Sequence, residues 1–330
     1  MAAIFKLAIL ISCVLLWAAA VCQGALEVSY YNKTCPRAEA IVSAEVRKAV
    51  RANAGVGAGL IRLLFHDCFV QGCDASILLD PTTANPQPEK LGLPNRRSLR
   101  GFEVIDAAKD AVEEACPGTV SCADIVAFAA RDASYILSGR KIDFKMPAGR
   151  LDGRYSNGTE TLDFLPAPFL DHSGLVKNFA KKGLDVEDMV VLSGAHSVGR
   201  AHCSSFVQDR LNTSSSDIDP SFARWLRRRC PDDLSDTNNP TVRQDTVTAA
   251  ALDSQYYANV LRHRVLLTSD AALLTSPETA RMVRDYAKGD GQWERKFETA
   301  MVRLASIDVK AGADGEIRKN CRFVNYNYNY

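Results

Sequence analysis

One large, mostly α-helical fold is predicted by three observations. Apolar residues recur three and four apart through several long segments, runs alternating as a strand would are short and few, and no turn cluster among the 330 residues is long enough to be a clear linker. Hydrophobic residues at 47% and charged residues at 24% provide for a substantial core and exclude a disordered, collagenous or coiled-coil chain. The formal charge, 40 − 39 = +1, gives no overall field that would attract nucleic acid or an anionic membrane. Partners must therefore be sought in local sites.

The chain opens with Lys6 and an apolar run from Leu7 to Val21. At 21 − 7 + 1 = 15 residues the run suits the core of a secretory signal and is short for a bilayer span. Small residues at Cys22 and Gly24 put cleavage near Gly24, with a cut after Cys22 as the alternative. Residues 1–24 are thus expected to be removed and 25–330 to form one exported domain. Ala38 to Ala52 has helical spacing. Gly55, Gly57 and Gly59 imitate a dinucleotide loop, but a helix pattern precedes them and no strand–helix–strand unit surrounds them. Gly101 to Ala115 and Gln255 to Leu266 read as helices, as do Ile125 to Leu137 and Trp293 to Leu304. Turn clusters at Asp80 to Pro88, Gly149 to Gly158 and Thr213 to Pro220 separate them.

Two histidines stand in chemically suggestive surroundings. In Leu60 to Cys68, Arg62 and His66 are four apart, on one face of an otherwise apolar helix. The plain reading is a half-buried histidine beside a surface arginine; the chemical reading is a general base with an electrostatic partner. Immediately after, Asp67, Asp74 and Ser76 offer hard oxygen ligands around Gly72, which suits Ca²⁺ without the EF-hand spacing. The second histidine, His196, lies in Leu192-Ser-Gly-Ala-His-Ser-Val-Gly199. Ala195 to Gly199 imitates a nucleophile elbow, making Ser197 a candidate hydrolase serine with Asp253 and His263 following in hydrolase order. An elbow needs a preceding strand, whereas Asp188 to Ser193 has the acidic start and apolar spacing of a helix.

Of ten cysteines, Cys13 and Cys22 leave with the signal, and 10 − 2 = 8 remain. No C-x-x-C pair is present, so disulfides are favoured over zinc, and spacing alone suggests only the local Cys68–Cys73 link. Asn32, Asn157 and Asn212 head glycosylation sequons.

Together, Arg62-x-x-Phe65-His66-Asp67-Cys68-x-x-x-Gly72-Cys73-Asp74-x-Ser76, Leu192-Ser-Gly-Ala-His196 and the eight cysteines resemble the secretory plant peroxidases, the class III haem peroxidases, from about Cys35 to Cys321. The resemblance implies the all-α plant haem peroxidase fold, with one haem b between a distal and a proximal half. It implies disulfides Cys35–Cys116, Cys68–Cys73, Cys122–Cys321 and Cys203–Cys230. His196 matches the axial ligand and Asp270 its carboxylate partner. His66 matches the distal acid/base, Arg62 the distal cation and Phe65 the aromatic beside the haem. Asn95 matches the amide that orients His66, with Glu89 behind it and grouped with the first calcium. Pro166 matches a residue of the donor-access site. Two Ca²⁺ are implied, one at Asp67, Val70, Gly72, Asp74 and Ser76, the other at Ser197, Asp245, Thr248, Ala251 and Asp253. Ser197 stands where threonine is usual, and Gln244 where relatives can carry an aromatic.

The implied activity is reduction of hydrogen peroxide with one-electron oxidation of small phenolic donors. The protein would be a monomer, secreted to the extracellular space or cell wall, with no nucleic-acid or membrane partner. The rival readings are a non-catalytic wall-binding or structural protein on the same scaffold and, more remotely, the serine hydrolase.

Overall fold

The computed structural model describes residues 26–214 and 216–325, so the expected leader lies outside the described residues. Helix α1 (Ala38–Ala52) buries Val42, Val46 and Val50, one residue per turn on one face. Each contributes about 1.5 kcal/mol or more by leaving water. Helix α2 (Ala54–Val70) begins after Asn53, whose side chain accepts the Gly55 N–H at 2.9 Å as a cap. Helices α3 (Phe102–Ala115) and α4 (Cys122–Leu137) complete this half, with α4 packed against α1, α2 and α3. Ser121 caps α4.

The glycines before His66 belong to α2 and form no loop. A Cβ on Gly57 would come within 2.9 Å of Leu137 Cδ1, and one on Gly59 within 2.9 Å of the Arg100 carbonyl oxygen. Their smallness permits close packing of α2, which disposes of the dinucleotide pattern.

The other half contains α5 (Glu160–Phe164), α6 (His172–Ala180), α7 (Val186–Ser193), α8 (Pro220–Arg227), α9 (Gln255–Leu261), α10 (Thr268–Ala271), α11 (Pro277–Tyr286) and α12 (Gln292–Leu304). Helix α7 starts with a reciprocal cap between Asp185 and Asp188 and packs on α11 and α12. Strands β1 (Arg200–His202) and β2 (Thr241–Arg243) pair antiparallel, with Arg200 opposite Arg243. Phe206, Phe222, Leu226, Val242 and Leu266 form a smaller second core around the Cys203–Cys230 disulfide.

Helix α9 is shorter than its apolar spacing predicts, ending at Leu261 instead of Leu266. His263 takes a left-handed conformation, φ 55°, and its carbonyl accepts the Asp219 N–H at 3.0 Å while its ring meets Asp217 at 2.7 Å. Those contacts tie the chain to the segment before α8 and end the helix.

All four expected disulfides are present. Near the longest, Asp152 accepts the Arg318 N–H at 2.9 Å and the Ala123 N–H at 2.8 Å, fastening the chain end to the start of α4. Arg150 and Asp124 form a fully buried ion pair at 2.7 Å, and Arg150 also donates to the Ala305 and Pro147 carbonyls. Among the described residues no helix is long and apolar enough to cross a membrane.

Candidate active site

The last turns of α2 present Arg62, Phe65 and His66. Asn95 Nδ2 donates to the Glu89 carbonyl at 2.8 Å, which turns Asn95 Oδ1 toward His66 Nδ1 at 2.6 Å. The ring proton must therefore sit on Nδ1, leaving the Nε2 lone pair as an acceptor. Arg62 Nε donates to that Nε2 at 3.0 Å, while the guanidinium is anchored by the carbonyls of Ser98 and Pro94 at 3.0 and 3.1 Å. Burial, followed by the Arg62 charge, pushes His66 well below the usual histidine range despite the opposing Asn95 bond. Burial and Arg100 lower Arg62 to about 10, so it stays charged at neutral pH. Phe65 stacks on Phe69 with centroids 4.1 Å apart and meets the His66 ring edge-on. The expected distal group is thus assembled in one place.

His196 lies in the short helical turn that follows α7, and its Nδ1 meets Asp270 Oδ1 at 2.7 Å. Tyr256 on α9 donates its phenol to the same Oδ1 at 2.8 Å. Burial pulls His196 down, but the Asp270 charge and hydrogen bond outweigh it and the net direction is upward. The Arg62 charge adds a smaller downward pull. The His196 side chain is 39% accessible. With Nδ1 occupied by Asp270, Nε2 is the atom available to a metal, and such a carboxylate partner strengthens the donor. An imidazole held at Nδ1 by a carboxylate is a donor that fits haem iron.

Beside His66 the Asp67 side chain is fully buried and accepts the Ala75 N–H at 2.9 Å. Asp74, Ser76 and Glu89 are buried with it, and Ser76 Oγ and both Glu89 carboxylate oxygens have no hydrogen-bond partner. Burial, then the charges of Asp67 and Asp74, pushes Glu89 well above the carboxylate range. Orphaned buried oxygens beside buried carboxylates fit a hard cation. Gly72 shapes this loop at φ 97°, where a Cβ would strike the Asp308 carbonyl oxygen at 2.3 Å.

The second oxygen cluster follows His196. Ser197 Oγ accepts the Asp253 N–H at 3.2 Å, and Thr248 Oγ1 lies 3.1 Å from Asp253 Oδ1 and 3.3 Å from Asp245 Oδ2. The Ala251 N–H bonds the Thr248 carbonyl and closes the turn. Among the described residues no three His, Cys, Asp or Glu side chains are placed to hold a metal ion by themselves, so both clusters would depend on hydroxyls and carbonyls as further ligands.

Ser197 is fully buried, and His263 pairs with Asp217. The residues before it are helix α7 instead of a strand, so no nucleophile elbow exists. Pro166 lies on a partly exposed loop whose Pro168 carbonyl accepts the Ser269 N–H at 2.9 Å, next to Asp270. Gln244 Oε1 is buried without a partner. Asn32 and Asn212 are exposed, whereas the Asn157 amide is half-buried and bonds Tyr155 at 3.0 Å. Tyr256 was not expected here. Its only sequence signal is general: a phenol on a buried helix face needs a polar partner.

The family model described as peroxidase matches residues 42–289. The chain is 61% identical over 316 residues to Peroxidase 2 of Zea mays, covering 94% of each chain. It is 48% identical to Peroxidase 1 of Zea mays, over 95% of this chain and 86% of that one. It is 42% identical to the lignin-forming anionic peroxidase of Nicotiana sylvestris, over 98% of this chain and 97% of that one.

Proposed function

The chain belongs to the plant peroxidases, haem oxidoreductases that reduce hydrogen peroxide at the expense of a reducing substrate, and on that premise we propose how its residues divide the work. When bound, the haem supplies the iron at which the peroxide bond breaks and the redox capacity that accepts electrons from the donor. His196 would hold that iron through Nε2, with Asp270 fixing the ring by its Nδ1 proton.

His66 Nε2 takes a proton from one peroxide oxygen and delivers it to the other as the O–O bond breaks. Arg62 stabilises the negative charge that develops on the departing oxygen. Asn95 keeps the reactive lone pair aimed correctly, and Phe65 helps wall the site. Two electrons and two protons, drawn from two donor molecules, balance the conversion of peroxide to two waters. Small phenols approaching by Pro166 are the donor class, and haem b is the form of the cofactor.

One Ca²⁺ is assigned to Asp67, Val70, Gly72, Asp74 and Ser76, with Glu89 beside it, and a second to Ser197, Asp245, Thr248, Ala251 and Asp253. The orphaned Ser76 and Glu89 oxygens support the first. Residues 1–24 act as a signal, the 25–330 domain is secreted as a monomer, and Asn32 and Asn212 are the more accessible glycan acceptors.

The relay from the Glu89 carbonyl through Asn95 to His66, with Arg62 at the far nitrogen, carries this reading. His66→Ala should retain its Soret band but react with peroxide ~10²–10⁴-fold more slowly, the usual worth of acid–base catalysis. Stopped-flow mixing with peroxide alone is the test, and an unchanged rate overturns the assignment.

A further inference from the structure

We propose that Lys310, seconded by Lys182, is a built-in counter-cation of loop 67–76, holding the loop together when calcium is absent and weakening its grip on calcium when the ion is offered. The role rests on the calcium reading of that loop: the lysine sets how tightly the ion is held.

Both lysines come from outside the loop, and each reaches a group assigned to the ion. Lys310 Nζ lies 3.4 Å from Asp74 Oδ2 and donates to the Gln71 carbonyl at 2.8 Å. Lys182, two residues past α6, donates to the Val70 carbonyl at 3.1 Å and to Asp308 Oδ2 at 3.0 Å, with its ammonium 4.7 Å from the centre of the Phe164 ring. A lysine paired with an exposed acid would be worth little. Here the Asp74 side chain is 1% exposed and that of Lys182 5%, so water screens these charges poorly.

Backbone pairing sets Lys310 in that position. It forms an antiparallel bridge with Leu151, and two residues after Leu151 the Gly153 N–H donates to the Asp74 carbonyl at 2.7 Å. A Cβ on Gly153 would come within 2.3 Å of Asp74 Oδ2, so the carboxylate is pressed against the same segment that carries the lysine. Its other oxygen, Oδ1, accepts the Ser76 N–H at 3.0 Å. Oδ2 is therefore the oxygen left for a cation, and Lys310 already faces it.

Calcium affinity follows the count of ligand charges. An ammonium beside Asp74 offsets part of one of them and repels a divalent ion. Where that ion is missing, it supplies a positive charge that the buried carboxylates of Asp67, Asp74 and Glu89 would otherwise lack. Loss of the lysine charge should then tighten calcium binding and at the same time destabilise the calcium-free enzyme. A lysine that merely braced the loop would lower both when removed.

Dialysis of the haem-loaded enzyme and its variants against buffers of fixed free Ca²⁺, followed by metal analysis, tests the proposal, with Ser76→Ala marking which bound ion belongs to this loop. Lys310→Met and Lys310→Gln, the second keeping a donor for Gln71, should hold that ion roughly tenfold more tightly, the order of one screened like charge beside the site. Lys182→Met should act in the same direction. Lys310→Arg should match wild type, as should Lys48→Met, whose lysine is exposed on α1. After chelation Lys310→Met should melt below chelated wild type. Unchanged or weaker calcium binding in both neutral Lys310 variants, an equal gain in Lys48→Met, or a chelated Lys310→Met that melts no lower overturns the counter-cation role and leaves the calcium site standing. If Ser76→Ala removes no ion, the calcium reading falls and the proposal falls with it.

Discussion

Tyr256 donates its phenolic hydrogen to Asp270 Oδ1 at 2.8 Å, the oxygen that also faces His196 Nδ1 at 2.7 Å. Burial and the Asp270 charge hold Tyr256 well above the usual phenol range, so it remains a donor. Two donors on one oxygen share its negative charge, and each weakens the pull on the other. Tyr256→Phe should therefore make Asp270 a stronger acceptor for His196 and lower the Fe(III)/Fe(II) potential. A bond worth about 1 kcal/mol sets the shift at roughly 40 mV. Asp270→Asn should move the potential upward. Spectroelectrochemical titration of both variants decides, and shifts of the same sign would sever this link.

The pH profile follows from the depressed His66. Its neutral form is the base, and protonation removes the lone pair, so activity must fall as pH drops through the folded-state value. That value lies well below 6.5. The second-order rate with peroxide should stay level from pH 8 through 6.5 and decline only in more acid solution. Asn95→Asp, which sets a negative charge beside the ring, should move the acid limb upward. A wild-type limb centred at 6.5 or above would contradict the burial argument.

Calcium removal should act on stability first. A ligand present at 100 times its dissociation constant stabilises by about 2.7 kcal/mol, which for a domain of this size is roughly 4 °C in melting temperature. Prolonged chelation should produce a loss of that order, and added Ca²⁺ should reverse it. Ser76→Ala should weaken retention of one ion while leaving the other, as counted by metal analysis.

The buried Arg150–Asp124 pair should reward removal of both partners over removal of one. Arg150→Met leaves the Asp124 charge unpaired beside the Tyr31 hydroxyl and should cost about 3–5 kcal/mol. Asp124→Asn with Arg150→Met should recover part of it. Denaturant unfolding of the two variants checks the order.

Much of this architecture is legible along the chain because local rules decide it. Helix α1 has its expected bounds, and α3 begins one residue after Gly101, whose φ of 98° suits only glycine comfortably. Arg62 and His66 announce themselves because four residues of helix put them on one face. The family likeness supplied Asp270, 74 residues beyond His196, which no periodicity would reveal. Tyr256 escaped notice because its partner is fixed by how α9 and α10 approach, and packing leaves no mark at that spacing. The end of α9 was overestimated for a related reason: apolar spacing continues past Leu261, but Asp217 and Asp219 capture His263 from elsewhere in the chain.

The Cys122–Cys321 bond joins the start of α4 to a cysteine 199 residues further along the chain. Translation proceeds from the amino terminus, and amino-terminal segments fold first as they emerge. Cys35 and Cys116 can pair as soon as α1 and α3 are made, and Cys68 with Cys73 earlier still. Cys122 alone of the early cysteines must wait as a thiol while 199 further residues are made. The order of manufacture therefore makes this bond the closing stitch, and a chain truncated between residues 230 and 321 would carry Cys122 as one reactive sulfur at the start of its central helix.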